Sequence, residues 1–355
     1  MKRCIVALVL VFSLIATACS STTGNSSTSS SSPDTAPPPT AGVSPSTSTI
    51  PGTPDETSVG AGGGEAGLAL LGAWVGPRDG FGDEARRQAI LDHEEAIGRK
   101  LGLVNEFFRF DLEWSMDRLR WHLDRGTGLM ISWNGAPATS ILDGSSDDLI
   151  RQRAVWTREL DEPLLLRFFW EPDAAKGERW GYHDNPALYE EVWRYVRAIF
   201  DEEGVTNAKW VWTPTTWHFG TGFAPMFYPG DDVVDVIGAD GYLWAPCRGS
   251  IETAEEVFGP FLAWAKDRPQ PILVAEWGAA LDNGDGSKQQ FFDAVLDLFG
   301  PMDRLLGLVV FDAIDPNNER CDMRIDSDAT SLEAYRRLAN DPRFGATAAL
   351  IAELG

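Results

Sequence analysis

The chain has 355 residues, 43% of them hydrophobic, and 53 acidic side chains against 30 basic ones give a formal net charge of −23. That charge argues against nucleic acid or an anionic lipid surface as partner and leaves neutral ligands such as sugars open. Neither the four cysteines nor the four histidines show metal-ligand spacing, so no metal and no other cofactor is expected.

The first 18 residues of "MKRCIVALVLVFSLIATACS" combine two basic residues, an apolar run and a small-residue end. This is the pattern of a secretory signal, too short for a spanning helix. Ala16-Thr17-Ala18 before Cys19 is similar to a bacterial lipobox, so cleavage after residue 18 and lipidation of Cys19 are expected. The chain would then sit outside the cytoplasm at the bacterial cell envelope, touching the membrane only through that N-terminal lipid. Residues 19–65, including "SSTTGNSSTSSSSPDTAPPPTAGVSPSTSTIPGTP", have little apolar bulk to bury and read as a disordered tether. All 14 tryptophans follow residue 65, which puts one folded domain at 66–355.

Within that domain short apolar runs predict strands at 68–75, 104–111, 128–134, 163–171, 208–213, 233–240, 271–277 and 305–312. Segments of helical period lie between them at 84–100, 115–125, 144–159, 186–203, 251–267 and 287–299. Asn185-Pro186 is a helix-start signal, with proline at the first helical position. Eight nearly continuous apolar strands, each followed by a helix, specify the α/β class and a single-domain (β/α)8 TIM barrel. A doubly wound sheet would need a Gly-rich first turn, and "GAWVGPRDGFG" contains no GxGxxG.

In such barrels chemistry gathers at the C-terminal strand ends. Strand four, "LLLRFFWEPD", ends in Glu171, and strand seven, "PILVAEWG", ends in Glu276. Period-two alternation groups Arg167, Phe169 and Glu171 on one face, and Ile272, Val274 and Glu276 on one face. Three units apart around the barrel, the two glutamates face each other across its mouth and could reach the ~5 Å separation of retaining glycoside hydrolysis. Trp170 beside Glu171 would raise its pKa by desolvation, whereas Arg167 would favour the charged form. Aromatics mark the other strand ends: Trp133, Trp170, Trp180, Trp217, Tyr242, Trp244 and Trp277, rings suited to packing on sugar faces. Trp210 and Trp212 lie inside strand five and are assigned to packing. With Cys19 lipidated, Cys247 and Cys321 are an even pair in an exported chain and are expected to form a disulfide.

"LLLRFFWEPD", "WVWTPT", "YPGDDVVDVIGADGY" and "PILVAEWG" occur in an order that resembles glycoside hydrolase family 26, whose members include β-mannanases. The resemblance spans roughly residues 70–340. It implies Glu171 as acid/base, Glu276 as nucleophile, a hydrogen bond from Tyr242 to the nucleophile, and Trp180 lining a sugar subsite. The family's usual His before the acid/base and Met-Asn after it are replaced by Trp170, Pro172 and Asp173. The tryptophan usual at the end of strand eight is Phe311, followed by Asp312. The expectation is therefore a retaining endo-β-glycosidase acting on a mannan-like or related polysaccharide as a monomer. Trp133, Arg167, Trp170, Asp173, Trp180, Tyr242, Trp244 and Phe311 would contact substrate. A barrel that binds glycan without cutting it is the alternative.

Overall fold

The computed structural model describes residues 68–354 apart from 246, 249–251, 281–283 and 317. The signal, Cys19 and the tether lie outside the described residues. The apolar runs form strands β1 (Leu70–Val75), β2 (Leu103–Phe108), β3 (Gly128–Trp133), β4 (Leu164–Phe168), β5 (Ala208–Trp212), β6 (Val236–Leu243), β7 (Ile272–Ala279) and β8 (Leu305–Asp312). They pair in parallel in chain order, and β8 returns to β1 to close the barrel. Closure satisfies both edges of the sheet, and the alternation of side chains then sorts every strand into an inward and an outward set.

The inward set at the lower end, Leu70, Leu103, Met130, Leu165, Val211, Val236, Leu273 and Leu306, packs as one buried layer that Ile351 closes from below. Outward residues make two larger clusters against the surrounding helices. Those helices are α1 (Gly82–Ile97), α2 (Met116–Asp124), α3 (Ala138–Leu142), α4 (Asp147–Glu159), α5 (Ala175–Arg179), α6 (Pro186–Glu202), α7 (Ala254–Ala265), α8 (Ser287–Phe299), α9 (Ala329–Ala339) and α10 (Ala349–Ala352). Helix α6 starts at Pro186, as the Asn-Pro signal specified. Thr253 and Glu256 close a reciprocal capping box on α7, satisfying two amide groups at its start.

Two expectations are corrected here. Among the described residues β5 leads into no α-helix but into two 3-10 turns, Thr216–His218 and Ala224–Phe227. Segment 213–233 holds prolines 214, 225 and 229, which interrupt the helical hydrogen-bond ladder. Strand four also stops at Phe168 rather than continuing to 171, because Phe169 and Glu171 adopt left-handed backbone angles, φ 41° and 54°.

Candidate active site

The upper end of the barrel opens into a cleft of about 1140 Å³. Its walls include Glu171 and Glu276, with Trp74, Phe107, Trp170, Tyr242, Trp244 and Phe311 around them. Glu171, Glu276, Trp170, Tyr242, Trp244 and Phe311 therefore share one cleft, but strand alternation alone does not bring them there.

On β7 the chain inserts one extra residue. Ala239 of β6 pairs with Val274, yet its successor Asp240 pairs with Glu276, so Ala275 is left over. Ile272 and Val274 pack outward in the helix-facing clusters, whereas Leu273 and Ala275 pack inside the barrel. Grouping Ile272 and Val274 with Glu276 is thus corrected: the irregularity turns Glu276 into the mouth, and such irregularities commonly re-aim a side chain beside a site. On β4 the left-handed residues do the equivalent. Phe169 goes outward among Tyr182, Tyr189 and Trp180 instead of sharing a face with Arg167. Trp170 and Glu171 then turn over the mouth, where the Glu171 N–H donates to the Thr213 carbonyl at 2.7 Å.

Glu276 is 6% exposed and both its oxygens are held. Arg167 donates to Oε1, and the Tyr242 hydroxyl donates to Oε2 at 2.7 Å. Arg167 also donates to both oxygens of Asp240, at 3.0 and 3.1 Å, and to the Ser132 hydroxyl at 2.7 Å. Burial disfavours the guanidinium charge, but Asp240 and Glu276 outweigh it and leave the Arg167 pKa raised. Burial, and then the charges of Glu276 and Asp240, push the Tyr242 hydroxyl well above the ordinary phenol range, so it remains a donor.

The aromatic wall is continuous. Trp74 stacks on Phe311 with ring centres 4.5 Å apart, Phe107 meets Trp74 edge-on, and Trp170 lies 5.1 Å from Phe107. Tyr242 and Trp244 lie 4.8 Å apart. Beneath Tyr242, Trp244 and Phe311 sits the Cys247–Cys321 disulfide, its alpha carbons 5.2 Å apart, which ties the loop after β6 to the loop after β8.

Several expected contacts are placed elsewhere. Trp133 is fully buried and stacks on Phe110 among the helices, because alternation from inward-facing Met130 points Ser132, not Trp133, into the barrel. Trp277 is likewise buried, against Phe292 and Tyr335. Trp180 is spent on the edge of Phe169 and does not line the cleft. Arg167 and Asp173 are fully buried, outside the cleft lining, and bond to neighbouring side chains. Trp74, Phe107 and Asp240 escaped the sequence reading, although counting by twos from Leu70, Leu103 and Val236 reaches all three.

A sequence model described as Glycosyl hydrolase family 26 matches residues 143–265. Endoglucanase H of Acetivibrio thermocellus is 27% identical over 286 residues, 75% of this chain, which spans 30% of that relative's length. Among solved structures, a GH26 β-mannanase from Bacteroides ovatus superposes with a TM-score of 0.61 at 17% identity, covering 78% of this chain and 89% of that one. GH26C from Muricauda sp. MAR_2010_75 gives 0.60 at 16% identity, covering 82% and 90%. At these identities the superpositions speak for the fold alone. The chain therefore resembles glycoside hydrolase family 26 both in the sequence of its central segment and in its (β/α)8 fold.

Proposed function

We propose that this chain is a retaining endo-β-glycosidase that hydrolyses a mannan-like or related β-linked polysaccharide. The observation that carries the reading is Glu276, set among two donors, Arg167 and Tyr242, in one aromatic cleft with Glu171. A carboxylate whose two oxygens are fixed in this way is oriented for attack, and a second carboxyl shares its cleft. In the first step Glu276 bonds to the anomeric carbon as the bond to the glycosidic oxygen breaks, and Glu171 gives its proton to that oxygen. In the second step Glu171 takes a proton from water, the water oxygen bonds to the anomeric carbon, and Glu276 departs. The aromatic wall fits the apolar faces of sugar rings and needs no charge on the ligand.

The names of the similar proteins support both a mannan and a glucan as candidate glycans. The same proposal has the enzyme tethered at the envelope through Cys19, and Cys19→Ala should move it from the membrane fraction to the medium.

The test is release of new reducing ends from β-mannan, mixed-linkage glucan, xylans and envelope polysaccharides. Glu276→Ala should abolish cleavage of any substrate the wild type cuts. Glu171→Ala should keep its first step on aryl glycosides with good leaving groups, and azide should restore turnover as a glycosyl azide of retained configuration. Equal, azide-insensitive loss in both variants would overturn the roles. Tight glycan binding without any cleavage would make the barrel a binding protein.

A further inference from the structure

The 3-10 turn after β5 carries two cleft residues that the two-carboxylate reaction does not itself require, Trp217 and His218. Trp217 is 70% exposed, a large apolar face that gains by being covered. His218 keeps 27% of its side chain exposed and is fixed from behind, its Nδ1 3.0 Å from Oδ2 of Asp173. Asp173 is fully buried and also accepts from the Thr215 amide at 3.1 Å and the Thr215 hydroxyl at 2.6 Å. A buried carboxylate surrounded by donors in this way orients the ring it holds. The bond occupies Nδ1, so whatever His218 offers to the cleft it offers through Nε2.

Asp173 stands two positions beyond Glu171, and the Glu171 amide is bonded to Thr213 at the start of the same loop. The turn is therefore fastened on both sides of Glu171. An acid/base meets the glycosidic oxygen, so groups fastened to its own segment lie toward the sugar that leaves. We infer that Trp217 and His218 form the subsite for the leaving-group sugar, Trp217 stacking on its ring and His218 Nε2 donating to one of its hydroxyls. Asp173 is the positioning residue behind them. The inference rests on the reading of Glu171 as acid/base.

The hydrogen bond that His218 donates to Asp173 raises the His218 pKa against the opposing effect of burial, and Glu178 acts in the same direction. Glu171, Asp240, Glu252, Glu256, Glu276 and Asp315 are the other acidic groups on the cleft walls and Arg248 is a basic one; Asp240 pairs with Thr215 at the start of the turn, and Tyr189 packs near Asp173. With these neighbours the ring is charged at mildly acidic pH and is then the stronger donor.

The experiment compares kcat/KM for two substrates with one glycone: a β-gluco- or β-manno-oligosaccharide that the wild type cleaves, and the corresponding β-glycosyl fluoride. Fluoride leaves without occupying a sugar subsite. Trp217→Ala and His218→Gln should each lower kcat/KM on the oligosaccharide about 10- to 100-fold, and on the fluoride no more than about threefold. Turnover of the fluoride also reports that each variant is folded. In the wild type the oligosaccharide-to-fluoride ratio should fall as pH rises, because Glu171 and His218 both lose protons that only the oligosaccharide needs, and in His218→Gln the part of that fall at the His218 pKa should be missing. Asp173→Asn should shift the His218 part of that dependence to lower pH. Equal losses on both substrates, or a pH dependence of the ratio that is the same in His218→Gln as in the wild type, would overturn the inference alone. A wild type that cleaves neither substrate would overturn it together with the glycosidase reading.

Discussion

Arg167 sits fully buried at the barrel mouth, balanced between Asp240 and Glu276. Burying such a group is unfavourable unless its partners are in place, so its placement serves orientation more than stability. Tyr242→Phe removes a single donor from Glu276 and leaves the ring in the aromatic wall. Its kcat/KM should fall about 10- to 100-fold with unfolding midpoints almost unchanged, as steady-state rates and urea denaturation would show. Glu171 poses a different residue-scale question, because its φ of 54° lies where only glycine is comfortable. Both Glu171→Ala and Glu171→Gly remove the carboxyl, yet the glycine variant should be more stable by about 1 kcal/mol in urea denaturation. Equal stabilities would mean that the backbone there is not strained.

At the scale of elements, the barrel and its helices are joined by buried charge clusters as well as by apolar packing. Glu106, facing outward from β2, receives Arg86 of α1 at 3.0 Å and Arg118 and His122 of α2 at 3.2 and 3.0 Å. Burial would raise its pKa, but the His122 hydrogen bond and the two arginines overcome that and lower it from 4.5 to about 2. A carboxyl lowered on folding contributes stability that is complete above its unfolded pKa and lost as pH falls through the folded one. The contribution, roughly 3 kcal/mol, should therefore fade between about pH 4.5 and 2. Urea midpoints measured across that window should fall for the wild type. Glu106→Gln, less stable at neutral pH, should respond less steeply over the same window. Gly135 shows how tightly the elements meet near the site: a Cβ there would lie 2.4 Å from the Phe169 ring. Gly135→Ala should displace Phe169 and cost about 1–3 kcal/mol, with activity falling because Glu171 follows two residues later.

For the whole molecule, closure of the barrel depends on β8 finding β1 across the full length of the domain, and the Cys247–Cys321 bond adds one more long-range tie. Its sequence separation is 74 residues, so the chain-entropy account assigns roughly 4 kcal/mol to it. The Cys247→Ala/Cys321→Ala variant should unfold at correspondingly lower urea. It should also lose affinity for glycan, since Tyr242, Trp244 and Phe311 pack on the bond. Unchanged stability, with or without reductant, would rule out the tie as a support of the cleft.

Most of the architecture was legible in the residues themselves. Periodicity gave eight strands within a few residues of their places, and six of the helices, because apolar spacing is a local consequence of which face must be buried. Glu171 and Glu276 stand out as candidates because a carboxylate ending an apolar run is visible in one dimension, and both line the one cleft. What alternation could not supply was the direction of those ends. The extra residue at Ala275 and the left-handed turns at Phe169 and Glu171 break the period of two, and both are set by pairing and packing with distant segments. The same holds for Asp173 and His218, which lie 45 positions apart in the chain and meet only because the loops after β4 and β5 are neighbours on the closed barrel. Strand parity is a property of the local chain, whereas which side chains face one another across the mouth exists only once the sheet has closed.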